Sequence, residues 1–227
     1  MSAAFRPEAV ITDIDGTLTD KEKRLGPEIL DALREVEARG VPVILCTGNV
    51  LPIAHTFRLI LGLKGPVVAE NGAMLMHEGK FHKFGDRRKV EAAFLHLKER
   101  LPDVELLITD RWREGEIAVK MRDPDEVRRA LDGWPVRVEA TGFAVHLMEP
   151  HLSKAAGAAK ACEMLRLDPR RCVAFGDNEN DFPVFDIVGY RVAVANATPE
   201  LKARADFVAE REFGGGVVDG LRHLGLV

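Results

Sequence analysis

Residues 9–20 read Ala9-Val10-Ile11-Thr12-Asp13-Ile14-Asp15-Gly16-Thr17-Leu18-Thr19-Asp20. A short apolar run, Val10-Ile11, leads into two aspartates spaced i, i+2, and Gly16-Thr17 follow at once. On an extended strand, residues two apart point to the same face. Asp13 and Asp15 therefore come together at a strand's end, where Gly16 lets the backbone turn sharply. Adjacent carboxylates repel unless a cation or proton is shared between them. Oxygen ligands of this kind suit Mg²⁺, which takes one or two carboxylates and leaves room for a substrate phosphate. Asp15-Gly16 also fits an ordinary polar turn, and the rest of the chain decides between the two.

Downstream, Gly26-Pro27 opens a helix running to about Arg39, with Leu30, Leu33 and Val36 on one stripe and Gly40 as its stop. Val41 to Cys46 is a continuous apolar strand that ends at Thr47-Gly48-Asn49. A helix over about 52–61 and a third apolar strand, Pro66 to Ala69, end at Glu70-Asn71-Gly72. Strand, helix, strand, helix, strand with short loops predicts an α/β fold, a Rossmann-like parallel sheet with helices on both faces. Residues 73–76 and 80–84 flank His77-Glu78-Gly79, a hairpin signal.

The pattern then changes to helix-strand-strand, twice: helix 90–101 with strands 104–109 and 116–122, then helix 124–134 with strands 136–140 and 143–148. This describes a small antiparallel sheet with helices on one face. From Ser153 the first pattern returns, with helix 154–165, strand 171–175, helix 182–187, strand 191–194, helix 199–205, a short strand at 207–208 and a closing helix 217–224. The chain thus divides into a discontinuous core, residues 1–78 and 151–227, and an inserted α+β unit, residues 79–150.

Hydrophobic residues make up 46% and charged residues 30% of the 227, enough for a real core and unlike a disordered or fibrous chain. A net charge of −4 argues against a nucleic-acid surface binder. Cys46, Cys162 and Cys172 form no CxxC pair and read as buried or incidental thiols of a reducing cytosol. Met1 to Pro7 lacks the apolar core of a signal peptide, and no apolar run approaches membrane-spanning length. The expectation is a soluble cytoplasmic monomer or homodimer, with neither nucleic acid nor membrane as partner.

In open α/β sheets, ligands bind outside the carboxyl ends of the strands. Asp13/Asp15, Thr47 and Asp177/Asp181 each follow an apolar strand, so they can converge on one crevice. Thr47-Gly48-Asn49 offers a hydroxyl and loop N–H groups to an anion beside a helix N-terminus, or simply caps that helix. Lys154 lies in a first helical turn, where a cation is mildly disfavoured unless an incoming anion meets it. Gly176-Asp177-Asn178-Glu179-Asn180-Asp181 sets carboxylates at i and i+4, the second placed to cap the following helix, with Glu179 facing solvent. Such a carboxylate cluster calls for a divalent cation.

Asp13-Ile14-Asp15-Gly16-Thr17, then Thr47, Lys154, and Gly176-Asp177 with Asp181, resembles the four ordered motifs of the haloacid dehalogenase superfamily of phosphatases, across the whole core. The insert between the second and third motifs resembles the larger cap of that superfamily, shared with sucrose-phosphate and Cof-type phosphatases. The short chain, Thr47-Gly48-Asn49 and Ala69-Glu70-Asn71-Gly72 are similar to archaeal phosphoglycolate phosphatases. The resemblance implies a phosphomonoester hydrolase with Asp13 as nucleophile and Asp15 as general acid/base. Mg²⁺ would be held by Asp13, the backbone carbonyl of Asp15 and Asp177, with Asp181 in or near the shell. Thr47, Gly48, Asn49 and Lys154 would hold the phosphoryl oxygens, and Asn178 and Asn180 would orient ligands from behind. The substrate would be a small phosphomonoester, foremost 2-phosphoglycolate. One of the cap residues Lys120, Arg122 and His146 could meet its carboxylate, although each equally fits a solvated sheet face. Arg111 and Arg113, flanking Trp112, could equally form a surface patch. A sugar-phosphate phosphatase, a phosphosugar mutase and a non-catalytic phosphate-accepting, Mg²⁺-binding module are the rival readings. Asp15, needed for turnover, weighs against the last.

Overall fold

The computed structural model describes residues 5–227; residues 1–4, part of the stretch read above for a leader, lie outside it. The core begins with β1 (Ala9–Thr12), α1 (Pro27–Ala38), β2 (Val43–Cys46), α2 (Leu51–Leu61) and β3 (Val67–Ala69). It adds the hairpin β4 (Met74–His77) and β5 (Lys80–Lys83), whose turn places Glu78 and Gly79 at positive φ, as a two-residue hairpin turn requires. The insert holds α3 (Arg87–Arg100), β6 (Ile117–Lys120), α4 (Pro124–Ala130), β7 (Arg137–Ala140) and β8 (Ala144–Met148). The chain returns to the core with α5 (Lys154–Leu165), β9 (Cys172–Gly176), α6 (Phe182–Ile187), β10 (Tyr190–Ala193), α7 (Pro199–Lys202), β11 (Phe207–Val208) and α8 (Phe213–His223).

Eight strands form one sheet in the order β11-β10-β9-β1-β2-β3-β4-β5, parallel from β11 to β3 and antiparallel thereafter. Every residue of β1, β2, β3 and β9 is buried, as expected of a parallel sheet covered on both faces. β1 lies between β2 and β9, so the chain leaves the central strand in opposite directions. That is the switch point at which such sheets open a crevice. Because β5 pairs with β4, the core sheet extends beyond the division expected at residue 78/79.

The insert carries its own apolar cluster, built from Val90, Ala93 and Leu97 of α3 against Ile117, Val119, Val145 and Leu147 of the sheet β6-β8-β7. This corrects the expectation of two complete helix-strand-strand units. Residues 104–109 make only a single bridge, Leu106 to Val119, before a 3₁₀ turn at Ile108–Trp112. The Asp110 carboxylate accepts the Ala118 N–H at 2.8 Å and pairs with Arg87, taking a ladder position from the backbone. Four helices also differ from expectation: α3 starts three residues early, at Arg87, and α7 ends three residues early, at Lys202. α4 stops at Ala130, short of Gly133 at φ +79. α8 starts four residues early, through Gly214-Gly215-Gly216, and glycine is needed at 214 because a Cβ there would stand 2.9 Å from the Leu18 carbonyl oxygen.

Candidate active site

The ends of β1, β2 and β9 bring Asp13, Asp15, Gly48, Asp177, Asn178 and Asn180 to the lining of a crevice of about 670 Å³. Thr47, Asn49, Lys154 and Asp181 stand behind it, each within hydrogen-bonding or ion-pair reach of a neighbour in the group. Asp13 continues β1 by donating its N–H to Phe175 O, and Thr47 continues β2 by donating to Val68 O. Gly16, at φ +92, turns the chain so closely past the fourth motif that a Cβ there would lie 2.5 Å from Asp177 Oδ2. Thr17 Oγ1 donates to Asp177 Oδ1 at 2.8 Å, tying the first motif to the fourth.

Carboxylate oxygens of Asp13, Asp177 and Asp181 lie within 4.8 Å of one another. Lys154 Nζ stands 2.8 Å from Asp13 Oδ1 and 2.7 Å from Asp181 Oδ1, almost wholly buried. It lies in the first turn of α5, which Ser153 caps by accepting the Ala156 N–H, and the two carboxylates offset the cost of a cation there. Burial by itself would lower the Lys154 pKa, but Asp13 and Asp181 outweigh it and hold the ammonium charged. Burial pushes Asp13 well above the usual carboxylate range; Lys154 draws it back, while Asp181 and Asp177 push it up again. Burial, with Asp181 beside it, pushes Asp177 up to about 6. Three crowded carboxylates facing one lysine are an all-oxygen donor set with uncompensated negative charge, which fits a hard divalent cation.

Asp181 does not cap the following helix as expected. Its Oδ2 accepts the N–H groups of Asp177 and Asn178, while Asn178 Oδ1 accepts from Glu179, closing a capping box on the 3₁₀ turn. Asn178 and Asn180 both line the crevice, and Glu179 is exposed as expected. The Asp15 carboxylate stands apart from the metal-type cluster. It is 3.5 Å from both Thr47 Oγ1 and Asn49 Nδ2 and 2.7 Å from Lys23 Nζ. Gly48 lines the crevice, and Thr47 Oγ1 accepts the Asn49 N–H at 3.0 Å.

The cap contacts differ from those expected. Lys120 pairs with Glu105, and Arg122 pairs with Glu126 and Asp103 in a separate surface depression. Neither residue lines the crevice. His146 is fully buried: its Nδ1 donates to Glu116 Oε1 at 2.8 Å, and its Nε2 is 3.1 Å from Thr141 Oγ1. Of the pair read as a surface patch, Arg111 lies over exposed Trp112, whereas Arg113 is buried, paired with Glu116 and donating to Gly48 O at 3.0 Å. The cap residues that do line the crevice are Thr141, Gly142 and Phe143, in the β7–β8 turn. Sequence reasoning missed these, and also Asn196, which donates to Gly16 O and accepts from Phe213 N at 2.8 Å each. Asn196 follows the β10 strand run, and the strand-end rule used for the other motifs would have found it.

A family model described as haloacid dehalogenase-like hydrolase matches residues 10–113 and 119–221. The chain belongs to that family. It is similar to the phosphoglycolate phosphatase of Methanothermobacter thermautotrophicus, with 42% identity over 94% of this chain and 97% of the relative. Similarity to the phosphoglycolate phosphatase of Archaeoglobus fulgidus is 36% over 98% and 99%. A crystal structure of a Thermoplasma acidophilum protein superposes with a TM-score of 0.88 at 29% identity, covering 98% of this chain and all of that one. Among the described residues, no helix is long and apolar enough to cross a membrane.

Proposed function

We propose that this protein is a cytoplasmic, Mg²⁺-dependent phosphomonoester hydrolase whose substrate is 2-phosphoglycolate, released as glycolate and phosphate. The observation that carries the reading is Lys154 bridging Asp13 and Asp181 at the ends of β1 and β9. A cation seated between a nucleophile and a metal-type carboxylate is placed to receive a phosphoryl oxygen. Support for phosphoglycolate is the near full-length similarity to enzymes of that name.

In this reading Asp13 attacks phosphorus in line as the bond to the ester oxygen breaks, leaving the phosphoryl group on the Asp13 carboxylate. Asp15 gives its proton to the departing alkoxide. It then takes a proton from the water that attacks the aspartyl-phosphate, and phosphate departs as Asp13 is restored. Lys154, Thr47 and the N–H groups of the Gly48-Asn49 loop neutralise and position the phosphoryl oxygens. Asp13, Asp177 and Asp181, with the Asp15 carbonyl, would hold Mg²⁺, which supplies charge neutralisation to the transferring group. The Thr141-Phe143 turn forms the cap wall of the crevice on the leaving-group side.

A phosphate-release screen over 2-phosphoglycolate, sugar phosphates, nucleotides and p-nitrophenyl phosphate, with and without Mg²⁺, tests the proposal. Strong Mg²⁺-dependent preference for 2-phosphoglycolate is expected. Preferential sugar-phosphate turnover would overturn the substrate while keeping the chemistry. Absence of release from every substrate would overturn the hydrolase reading.

A further inference from the structure

We propose that Lys23, in the core loop after β1, and not a residue of the cap, binds the carboxylate of the substrate's leaving group. This rests on the phosphoglycolate reading. The crevice lining is rich in carboxylates and carries only two cations, Lys21 and Lys23, among the described residues. Lys154, close by, is buried between Asp13 and Asp181 and is taken up by the phosphoryl group in the proposed reaction. From the cap, Thr141, Gly142 and Phe143 contribute no charge. A second anionic group on the substrate must therefore be met from the core loop.

Position selects Lys23. Its Nζ is 2.7 Å from Asp15 Oδ1, the group that protonates the ester oxygen in the proposed reaction, and 5.5 Å from the centre of the Phe143 ring. In 2-phosphoglycolate the carboxylate carbon is two bonds from that ester oxygen. The ammonium thus sits where the carboxylate arrives, between the acid and the cap wall, while Lys21 makes neither contact. The loop is built to hold it there. Asp20 Oδ1 accepts the N–H groups of Glu22 and Arg24 at 2.9 Å each, and Asp20 O accepts that of Lys23 at 3.0 Å. This turn keeps Lys23 at φ +62, a conformation a lysine rarely adopts. The side chain is half exposed on a four-carbon stem, free to turn from Asp15 toward an incoming anion.

The test compares kcat/KM for 2-phosphoglycolate with that for 2-hydroxyethyl phosphate, in which a hydroxymethyl group replaces the carboxylate. The proteins are wild type, Lys23→Asn, Lys23→Arg and Lys21→Ala. Asn tolerates positive φ, so the turn should survive loss of the charge; unfolding temperature checks this. Wild type should prefer 2-phosphoglycolate. Lys23→Asn should shrink that preference at least about tenfold, mainly through KM, as expected for loss of one charge-assisted contact. Lys23→Arg should restore most of it, and Lys21→Ala should change it by less than about threefold. If Lys23→Asn leaves the preference intact, or lowers both substrates equally, the Lys23 assignment is wrong while the substrate reading stands. The assignment also fails if Lys21→Ala shows the larger loss. A wild type without preference for the carboxylate would remove the substrate reading and this proposal with it.

Discussion

Asp13 is buried beside Lys154 with two further carboxylates close by, so its charge matters differently to stability and to chemistry. Asn in its place keeps an oxygen for Lys154 and removes one repelling charge. Asp13→Asn is therefore expected to lower phosphate release by more than about a thousandfold, since no other group can carry the phosphoryl. Its unfolding free energy without metal should equal or exceed that of wild type; a variant with retained turnover would remove Asp13 as nucleophile. Mg²⁺ at a hundred times its dissociation constant should stabilise wild type by about 2.7 kcal/mol. Denaturant unfolding with and without Mg²⁺ should show a smaller gain at the same concentration in Asp177→Asn, because one ligand is gone. Asp13, Asp15 and Asp177 could be placed from the sequence because an apolar strand that stops at a polar residue fixes where that side chain emerges; Lys154 was placed by its first helical turn and the order of the motifs, and Asp181 by its i+4 spacing from Asp177. His146 was not. Alternation along β8 suggests one solvated face, whereas every residue of β8 is buried, and its partner Glu116 lies in the loop just before β6. Lys23 was hidden by its exposed, loop-like surroundings.

Lys154 reaches Asp13 because α5 lies unusually close to the loop after β3. A Cβ on Gly157 would stand 2.7 Å from the Gly72 Cα and would also collide with Val68, while one on Gly72, at φ +95, would collide with the Ser153 carbonyl. Two glycines facing each other thus set the depth of the α5 N-terminus. Gly72→Ala combines a disfavoured conformation with a backbone collision and should cost about 3 kcal/mol or more by urea unfolding. Because the displaced segment is the first turn of α5, kcat should fall as well, although Gly72 touches no site residue. Unchanged stability would show that α5 can shift without cost. The strands and α5 itself were readable from apolar runs and caps, and α5 falls on the expected 154–165. What failed was contextual. Pairing along 104–109 is cut short by a side chain, Asp110, that competes for a backbone amide. The glycines that open α8 read as loop because their purpose, close approach to Leu18, Ala209 and Val194, depends on remote segments.

At the scale of the molecule, core and cap meet through buried polar groups more than through an apolar seam. Asn71 Nδ2 donates to Glu116 Oε2 at 3.1 Å, Arg113 reaches Gly48 O, and Glu70 Oε2 accepts the N–H groups of Glu114 and Gly115 at 3.0 and 2.8 Å. Burial would raise Glu116, but His146 and Arg113 outweigh it and hold its carboxyl below the ordinary value. Removing Arg113 would take away one of that charge's partners and leave it to His146 and Asn71, so Arg113→Met should destabilise by about 3 kcal/mol, measured by denaturant unfolding. Glu70 behaves in the opposite sense. Burial, then Glu116, pushes its carboxyl up to about 7 from 4.5, against the two amides and Arg113. Between those values the folded chain holds a proton that the unfolded chain has released, so stability falls as pH rises through this window. Above about 7 the whole penalty of ionising a buried group is present. Glu70→Gln keeps an acceptor for the two amides and cannot ionise. Relative to wild type it should therefore gain about 1–3 kcal/mol between pH 4.5 and pH 8, read from urea unfolding at both values without metal. The same difference at both pH values would mean that Glu70 titrates as an ordinary surface acid and does not tie cap stability to pH.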